Sequence, residues 1–222
     1  MTAPAAADVY RPQHDSRLLI AALSEAGPLR GRRVADLCAG SGVIGFAAAK
    51  LGAASVTAFE LSPAAVSLAR AHAAAAAIPV EVRLGCWTRA LDCRPFDVVA
   101  CNPPYVPIAS ATAPSELPAD AGPICSWHGG HDGRRVLDPL CRAAPELLAA
   151  GGTLLVVQSE YAGVGQTIRR LAEAGLRARV VAAERIPYGP VLSSQARDWE
   201  ASGRIGVGCR SERIAVIRAD KP

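Results

Sequence analysis

Short apolar runs alternate with helical patterns along most of the chain. Apolar runs that read as β-strands lie at 33–37, 55–59, 79–84, 96–101, 153–158, 178–183 and 212–217. Continuous apolar runs of this length are typical of strands whose two faces are both covered by helices. The pattern therefore predicts a sheet at the centre of the fold.

Helical patterns separate these strands. They are predicted at 16–25, 43–51, 63–77, 132–149 and 164–174, with a helical insert at 189–202. Ser16 and Ser62 are the predicted N-caps of the first and third helices, and Pro63 is at a first helical position. The alternation predicts an α/β fold with a doubly wound parallel sheet and helices on both faces. The long proline-rich connection at 102–127 is typical of a functional loop.

Composition narrows the class of protein. Half of the 222 residues are hydrophobic and 5% are aromatic, so the core consists mainly of small and branched aliphatic residues. A net charge of +4 without a basic cluster permits a nucleic-acid partner but does not require one. Seven cysteines without a CxxC pair argue against disulfides and zinc. Without a leader peptide or an apolar stretch of about 20 residues, a cytoplasmic protein is expected, with no membrane partner.

A glycine-rich turn follows the first predicted strand. Gly40, Gly42 and Gly45 fit the GxGxxG spacing, and Glu60 ends the second strand about 20 residues further on. Glycines allow a ligand close to the backbone, and the acid can accept hydrogen bonds from ribose hydroxyls. A nicotinamide dinucleotide and S-adenosylmethionine (SAM) both fit this layout. Asp36 favours SAM, because its carboxylate would repel pyrophosphate but can bind the amino group of the methionine part, directly or through water.

The fourth predicted strand runs into a second turn, Asn102-Pro103-Pro104-Tyr105. Ligands of open α/β sheets bind beyond the carboxyl ends of the strands, so this turn should face the same crevice as the glycine turn. The prolines remove N–H donors, which leaves carbonyl acceptors, the Asn102 amide and the Tyr105 ring. Such a set can accept both hydrogens of a planar NH₂ group and aim its nitrogen at the methyl group of SAM. The sequence therefore predicts N-methylation, with Asn102, Pro103 and Tyr105 as catalytic residues.

At these motifs the chain resembles the HemK/PrmC group of SAM-dependent methyltransferases. The resemblance covers about residues 9–183 and rests on the stretches 36–42, 85–87 and 102–107. Two further stretches, 9–16 and 129–134, are similar to the short HemK-like branch that lacks an N-terminal helical domain. The resemblance implies a Rossmann-like class I methyltransferase fold, in which a mostly parallel seven-stranded sheet has its last strand antiparallel. It also implies methylation of the glutamine in the Gly-Gly-Gln motif of translation release factors.

The resemblance also implies the residues of the SAM site. They are Asp36, Cys38, Gly40, Gly42, Glu60, Leu61, Cys86, Trp87 and Asn102. Cys86 stands where the family has an aspartate that binds the adenine amino group, so adenine would rely on backbone groups and on packing against Trp87. The expected substrate is a release factor or a small molecule, nucleic acid is not expected, and an activator subunit is compatible with the short branch. No metal site is predicted.

Other functions remain open at the level of the sequence. A small-molecule methyltransferase, acting on an amine or a heteroaromatic natural product, is favoured by the short segment before the first strand and by an unmatched insert at 186–208. A nucleic-acid adenine methyltransferase shares the Asn-Pro-Pro-Tyr motif. A SAM-binding partner without catalytic activity would explain Cys86.

Several residues and segments have roles that the sequence leaves open. Glu160 and Gln166 are candidates to reach the target, and Tyr188 and Trp199 are candidates for an aromatic pocket wall. The loop at 106–126 is the expected grip on a release factor. The chain is divided into an N-terminal arm and helix at 1–30 and a methyltransferase domain at 31–222.

Overall fold

The computed structural model describes residues 9–108 and 122–222. The helices in these ranges are α1 (His14–Glu25), α2 (Val43–Lys50), α3 (Pro63–Ala75), α4 (Leu137–Leu147), α5 (Val164–Glu173) and α6 (Pro190–Ala201). The strands are β1 (Arg33–Leu37), β2 (Ser55–Glu60), β3 (Val80–Leu84), β4 (Phe96–Cys101), β5 (Leu148–Ser159), β6 (Arg177–Pro187) and β7 (Ser211–Asp220). The start of the predicted arm and most of the loop at 106–126 lie outside the described residues.

The described strands form one sheet in the order β3-β2-β1-β4-β5-β7-β6. Strands β1 to β5 are parallel, and β7 is antiparallel to both β5 and β6. This order confirms the predicted doubly wound, mostly parallel sheet with an antiparallel last strand. The direction of winding reverses between β1 and β4, which is where open α/β sheets place their ligands.

Apolar side chains cover both faces of the sheet. One face of β1 packs against α1 and α2, in a cluster that includes Leu19, Leu23, Val34, Ile44 and Val98. The opposite face carries Leu37, Phe59, Val99 and Leu154 and packs against α4 and α5 through Leu140 and Leu171. Helix α1 is therefore packed against one face of the sheet as part of its hydrophobic core. The predicted domain boundary at residue 30 stays a prediction. No helix in the described ranges has both the length and the apolar character needed to cross a membrane.

Two predicted helix starts are wrong. Helix α1 begins at His14, with Gln13 as its N-cap, so Ser16 lies in the first turn and is not the cap. Helix α4 begins at Leu137 and not at residue 132. Gly133 has a φ of +78°, which lies outside the right-handed helical region. A Cβ there would collide with the carbonyl oxygen of Tyr105, so this position requires glycine.

Other boundaries differ because pairing extends beyond the apolar runs. Helix α4 ends at Leu147, and β5 begins at once because Leu148 pairs with Phe96 of β4. Strand β6 is also longer than predicted, since it pairs with β7 along most of its length. The predicted N-cap of α3 is confirmed, because the Ser62 hydroxyl accepts a hydrogen bond from the Ala65 N–H at 3.3 Å.

Candidate functional site

A cavity of about 690 Å³ lies at the carboxyl ends of β1, β2 and β4. The predicted site residues that line it are Cys38, Gly40, Glu60, Leu61, Cys86, Trp87, Asn102, Pro103 and Tyr105. The structure thus brings the glycine turn and the Asn-Pro-Pro-Tyr turn to one cavity. Two predicted residues, Asp36 and Gly42, do not line it.

The glycine turn is held by the carboxylate at the end of β2. The Gly40 N–H donates to Glu60 Oε2 at 2.8 Å, and the Ser62 N–H donates to Glu60 Oε1 at 2.7 Å. Glu60 thereby fixes the turn against the start of α3, and its oxygens keep lone pairs for a ligand. Gly40 has a φ of +55°, and a Cβ there would meet no protein atom within 4 Å. The space beside Gly40 is therefore open on the side of the cavity.

Gly42 is required for the packing of α2 and not for the space of the cavity. It is the left-handed N-cap of α2, with a φ of +84°, and a Cβ would lie 2.8 Å from Phe46 Cζ. Gly45 packs beside Asp36 in a similar way, since a Cβ would lie 3.2 Å from Asp36 Oδ2. These two glycines allow close packing of α2, whereas Gly40 faces the cavity.

Asp36 lies beneath the glycine turn. Its Oδ2 accepts a hydrogen bond from the Gly45 N–H at 2.8 Å, and the side chain is completely buried. Burial raises the pKa of the Asp36 carboxyl to about 7, although the Gly45 hydrogen bond opposes this shift. Asp36 Oδ1 is buried and has no hydrogen-bond partner in the described residues, so the predicted bond to the amino group of SAM, directly or through water, stays a prediction. Ser41, which the sequence analysis missed, lines the cavity and has a buried hydroxyl without a partner in the described residues.

Asp36→Asn is expected to gain stability relative to the wild type as the pH rises from 4 to 8. The raised pKa means that the folded protein keeps a proton that the unfolded chain releases above its ordinary pKa of 3.8. This stabilising contribution is complete below about pH 4 and is lost as the pH rises to about 7. Asparagine lacks it but can still accept from Gly45. The expected difference is at most about 4 kcal/mol.

Urea denaturation at pH 4, 6 and 8 measures this change in the free energy of unfolding. Asp198→Asn on the exposed side of α6 is the matched control, and its stability should follow the wild type at each pH. Parallel pH dependence of Asp36→Asn and the wild type would contradict the buried, protonated carboxyl.

The amide of Asn102 has a defined orientation. Its Nδ2 donates to Asp15 Oδ2 at 3.0 Å and to the Ser16 hydroxyl at 3.3 Å. A carboxylate only accepts hydrogen bonds, so Asp15 requires the nitrogen of the amide on its side. The Asn102 oxygen is therefore left for another donor. This is the orientation that the predicted bond to a substrate NH₂ group needs.

Asp15 binds several groups around the Asn-Pro-Pro-Tyr turn. Besides Asn102, its carboxylate accepts hydrogen bonds from the Tyr10 hydroxyl and the Tyr105 hydroxyl, both at 3.1 Å, and from the Ser16 N–H at 2.6 Å. Burial, together with the Asp15 charge, raises the pKa of Tyr105 well above its ordinary value. The Tyr105 hydroxyl therefore stays a donor. Sequence reasoning noted the stretch 9–16 but assigned no role to Asp15, because only the packing of α1 brings it to β4.

Asp15→Asn is expected to lower kcat for methyl transfer by about 10- to 100-fold, with little change in the Kd for SAM. An asparagine offers one acceptor oxygen where Asp15 now accepts from five donors, so Asn102 and Tyr105 lose their fixed positions. Steady-state kinetics and calorimetric SAM titration measure the two effects. Glu25→Gln, at the exposed end of the same helix, should behave as the wild type. An unchanged kcat in Asp15→Asn would refute the positioning role.

The insert after β6 forms one wall of the cavity. Tyr188 lines the cavity, and its hydroxyl lies 2.7 Å from that of Tyr161. Trp199 is 1% exposed and packs edge-on against Tyr161, so it supports the wall from behind. Glu160 and Gln166, two candidates for contact with the target, do not line the cavity. Glu160 Oε1 instead accepts a hydrogen bond from the backbone of β7.

Comparisons with known proteins show which family the chain is similar to. Residues 10–114 match the family described as the methyltransferase small domain. The chain is 30% identical to a putative protein N5-glutamine methyltransferase of Methanocaldococcus jannaschii, over 83% of this chain and 89% of that protein. It is 38% identical to the release factor glutamine methyltransferase of Deinococcus radiodurans, over 70% of this chain and 55% of that protein. The chain thus spans about half the length of this bacterial relative.

A solved structure shares the whole fold. It is the E. cuniculi Mtq2–Trm112 complex, described as responsible for methylation of the eRF1 translation termination factor. The two chains superpose with a TM-score of 0.64 at 23% identity, over 97% of this chain and 99% of the other. Fold, cavity and sequence similarity lead to the same conclusion: this chain belongs to the HemK/PrmC-like class I SAM-dependent methyltransferases.

Proposed function

We propose that this protein transfers the methyl group of SAM to the side-chain amide nitrogen of a glutamine, in the Gly-Gly-Gln motif of a translation release factor. The observation that carries the proposal is the orientation of Asn102, whose amide nitrogen is bound by Asp15 and whose oxygen is left for a substrate N–H. The names of the related glutamine methyltransferases support the substrate class.

The residues of the cavity fit SAM. The unpartnered hydroxyl of Ser41 is a donor for the carboxylate of the methionine part, and Glu60 is an acceptor for the ribose hydroxyls. Cys86 and Trp87 are left to contact the adenine. When bound, SAM supplies the methyl group of its sulfonium centre. The rest of SAM then leaves as a neutral thioether, so no acid is needed.

The remaining chemistry belongs to the protein. Asn102 Oδ1 and the Pro103 carbonyl accept the two hydrogens of the substrate amide, which directs its lone pair toward the methyl group. Tyr105 covers one face of the amide and is itself held by Asp15. The N–CH₃ bond forms as the S–CH₃ bond breaks, and the nitrogen then gives up one proton to water. Placement of the two reacting atoms and exclusion of water supply most of the acceleration.

The test is a labelling experiment. The purified protein is incubated with methyl-labelled SAM and either a release factor that presents Gly-Gly-Gln or a pool of small amines and heteroaromatics. Label on the glutamine of the release factor, located by mass spectrometry, is expected. A release factor in which that glutamine is replaced by asparagine is the matched control and should stay unlabelled. Label only among the small molecules would replace the proposal with the small-molecule activity.

An activator subunit is part of the proposal. The related Mtq2 chain forms a complex with Trm112, so the labelling experiment is repeated after co-expression with a Trm112-like protein. If activity appears only with this second chain, the proposed activity includes an obligatory partner. Equal activity with and without it would remove the partner from the proposal.

A further inference from the structure

A second buried carboxyl group lines the cavity near Asp15. Glu212 is at the start of β7, beside Ile186 of β6 in the antiparallel pair. Its side chain lines the cavity, yet the residue is only 5% exposed. The Oε2 atom is buried and has no hydrogen-bond partner in the described residues. A buried carboxyl oxygen without a partner costs stability, which calls for an explanation from function.

No basic side chain compensates Glu212. Within residues 9–108 and 122–222, no Lys, Arg or His forms an ion pair with it or with Asp15. The groups that act on it are the Ser159 hydroxyl and the carboxylates of Asp15 and Glu160. Burial, reinforced by the two carboxylates and opposed by Ser159, raises the pKa of Glu212 to about 7. The described residues thus provide no donor that would stabilise a carboxylate at Oε2.

The neighbours of Glu212 are the groups that hold the acceptor site. Its charge acts on Tyr10 and Tyr105, the two tyrosines whose hydroxyls donate to Asp15. Asn102 donates to the same Asp15 carboxylate, whereas Glu60 holds the glycine turn. Glu212 therefore belongs with the groups around Asp15 and Asn102, which we assign to the methyl acceptor, and not with the glycine turn, which we assign to SAM.

We infer that Glu212 is a specificity-determining residue that accepts a hydrogen bond from a backbone N–H of the polypeptide beside the target glutamine. The inference rests on the proposed function. In a Gly-Gly-Gln substrate, the two glycines have no side chains, so backbone N–H groups are the donors nearest to the target amide. Such a donor would satisfy the carboxyl oxygen that the protein leaves unpaired. A small amine without peptide bonds would leave it unpaired.

The first test compares Glu212→Leu with the conservative Glu212→Gln. The leucine variant is expected to raise the KM for the release factor by about 10- to 100-fold, with kcat within about threefold of the wild type and an unchanged Kd for SAM. The glutamine variant keeps an acceptor oxygen and should retain most of the affinity. Thermal denaturation should show that Glu212→Leu is at least as stable as the wild type, because an unpaired buried carboxyl is removed.

The second test changes the substrate. Three Gly-Gly-Gln peptides are prepared, each with one backbone amide at or beside the glutamine replaced by an ester, which removes a single N–H. One of these esters is expected to raise KM for the wild type and to have no further effect on Glu212→Leu. This loss of additivity is a signature that a merely structural role of Glu212 would not produce.

The outcomes distinguish a failure of the proposed function from a failure of the role assigned to Glu212. Absence of glutamine methylation by the wild type would refute the proposed function. An active wild type whose KM is unaffected by Glu212→Leu would refute only the inference about Glu212, as would three esters with the same effect in both proteins. If Glu212→Leu fails to fold, Glu212→Ala, which also lacks the acceptor oxygen, takes its place in the comparison on the three esters and decides in the same way.

Discussion

Asn102→Ala is expected to lower kcat by about 100- to 1,000-fold, while the Kd for SAM changes by less than about threefold. The variant lacks the oxygen that Asp15 orients through the amide nitrogen, and it leaves a buried Asp15 oxygen with fewer donors. Asn102 is also a predicted SAM contact, but most of the predicted SAM contacts are in other residues, among them the glycine turn and Glu60. Single-turnover transfer of labelled methyl to the release factor and SAM titration measure the two quantities separately.

Two variants sharpen this experiment. Asn102→Asp has nearly the same shape but places a second carboxylate beside Asp15, so it should be as inactive as the alanine variant. Ser24→Ala changes an exposed residue of α1 that does not line the cavity and should keep full activity. Activity of Asn102→Ala within tenfold of the wild type would exclude the amide as the acceptor of the substrate N–H.

Gly40→Ala is expected to weaken SAM binding by about 100-fold. Gly40 has a φ of +55°, and its added Cβ would meet no protein atom, so the methyl group would enter the space of the bound ligand. The left-handed backbone also makes alanine unfavourable, by about 1 kcal/mol. Loss of affinity is expected to exceed this loss of stability. Calorimetry gives the Kd, and thermal denaturation gives the stability.

The matched control for this variant is Gly175→Ala. Gly175 has a φ of +85° and also has open space where a Cβ would lie, but it follows α5 and does not line the cavity. Its alanine variant should lose similar stability and keep the wild-type Kd for SAM. Equal SAM affinities for the two variants would mean that the ligand does not approach Gly40.

The strands and the two turns could be predicted because they depend on local patterns. The apolar runs at Arg33–Leu37 and Phe96–Cys101 coincide with β1 and β4 along their full length. Parallel strands expose their carboxyl ends at one edge of a sheet, so the turns after β1 and β4 had to face one another. Helix starts are less well determined, because the glycine conformation that delays α4 depends on contact with Tyr105.

The position of Asp36 could have been deduced from the alternation of side chains in β1. Val34 packs on the face covered by α1 and α2, and a residue two positions further along a strand points to the same face. The carboxylate therefore points toward α2 and not into the cavity. No such rule applies to Asp15, because its role depends on how α1 packs beside the end of β4. Nor does it apply to Glu212, because β7 pairs with β5 and β6 and not with the strands that precede the two motifs.

The hydrogen bond between Asp15 and Asn102 joins residues that are 87 positions apart in the chain. Helix α1 is held against the sheet by an apolar cluster that includes Leu155 of β5 and Val216 of β7. During synthesis, the segment with Asn102 leaves the ribosome well before β7 does. The packing of α1, which brings Asp15 to the Asn102 amide, is therefore complete only when β7 has joined the sheet, after both motifs have already been made.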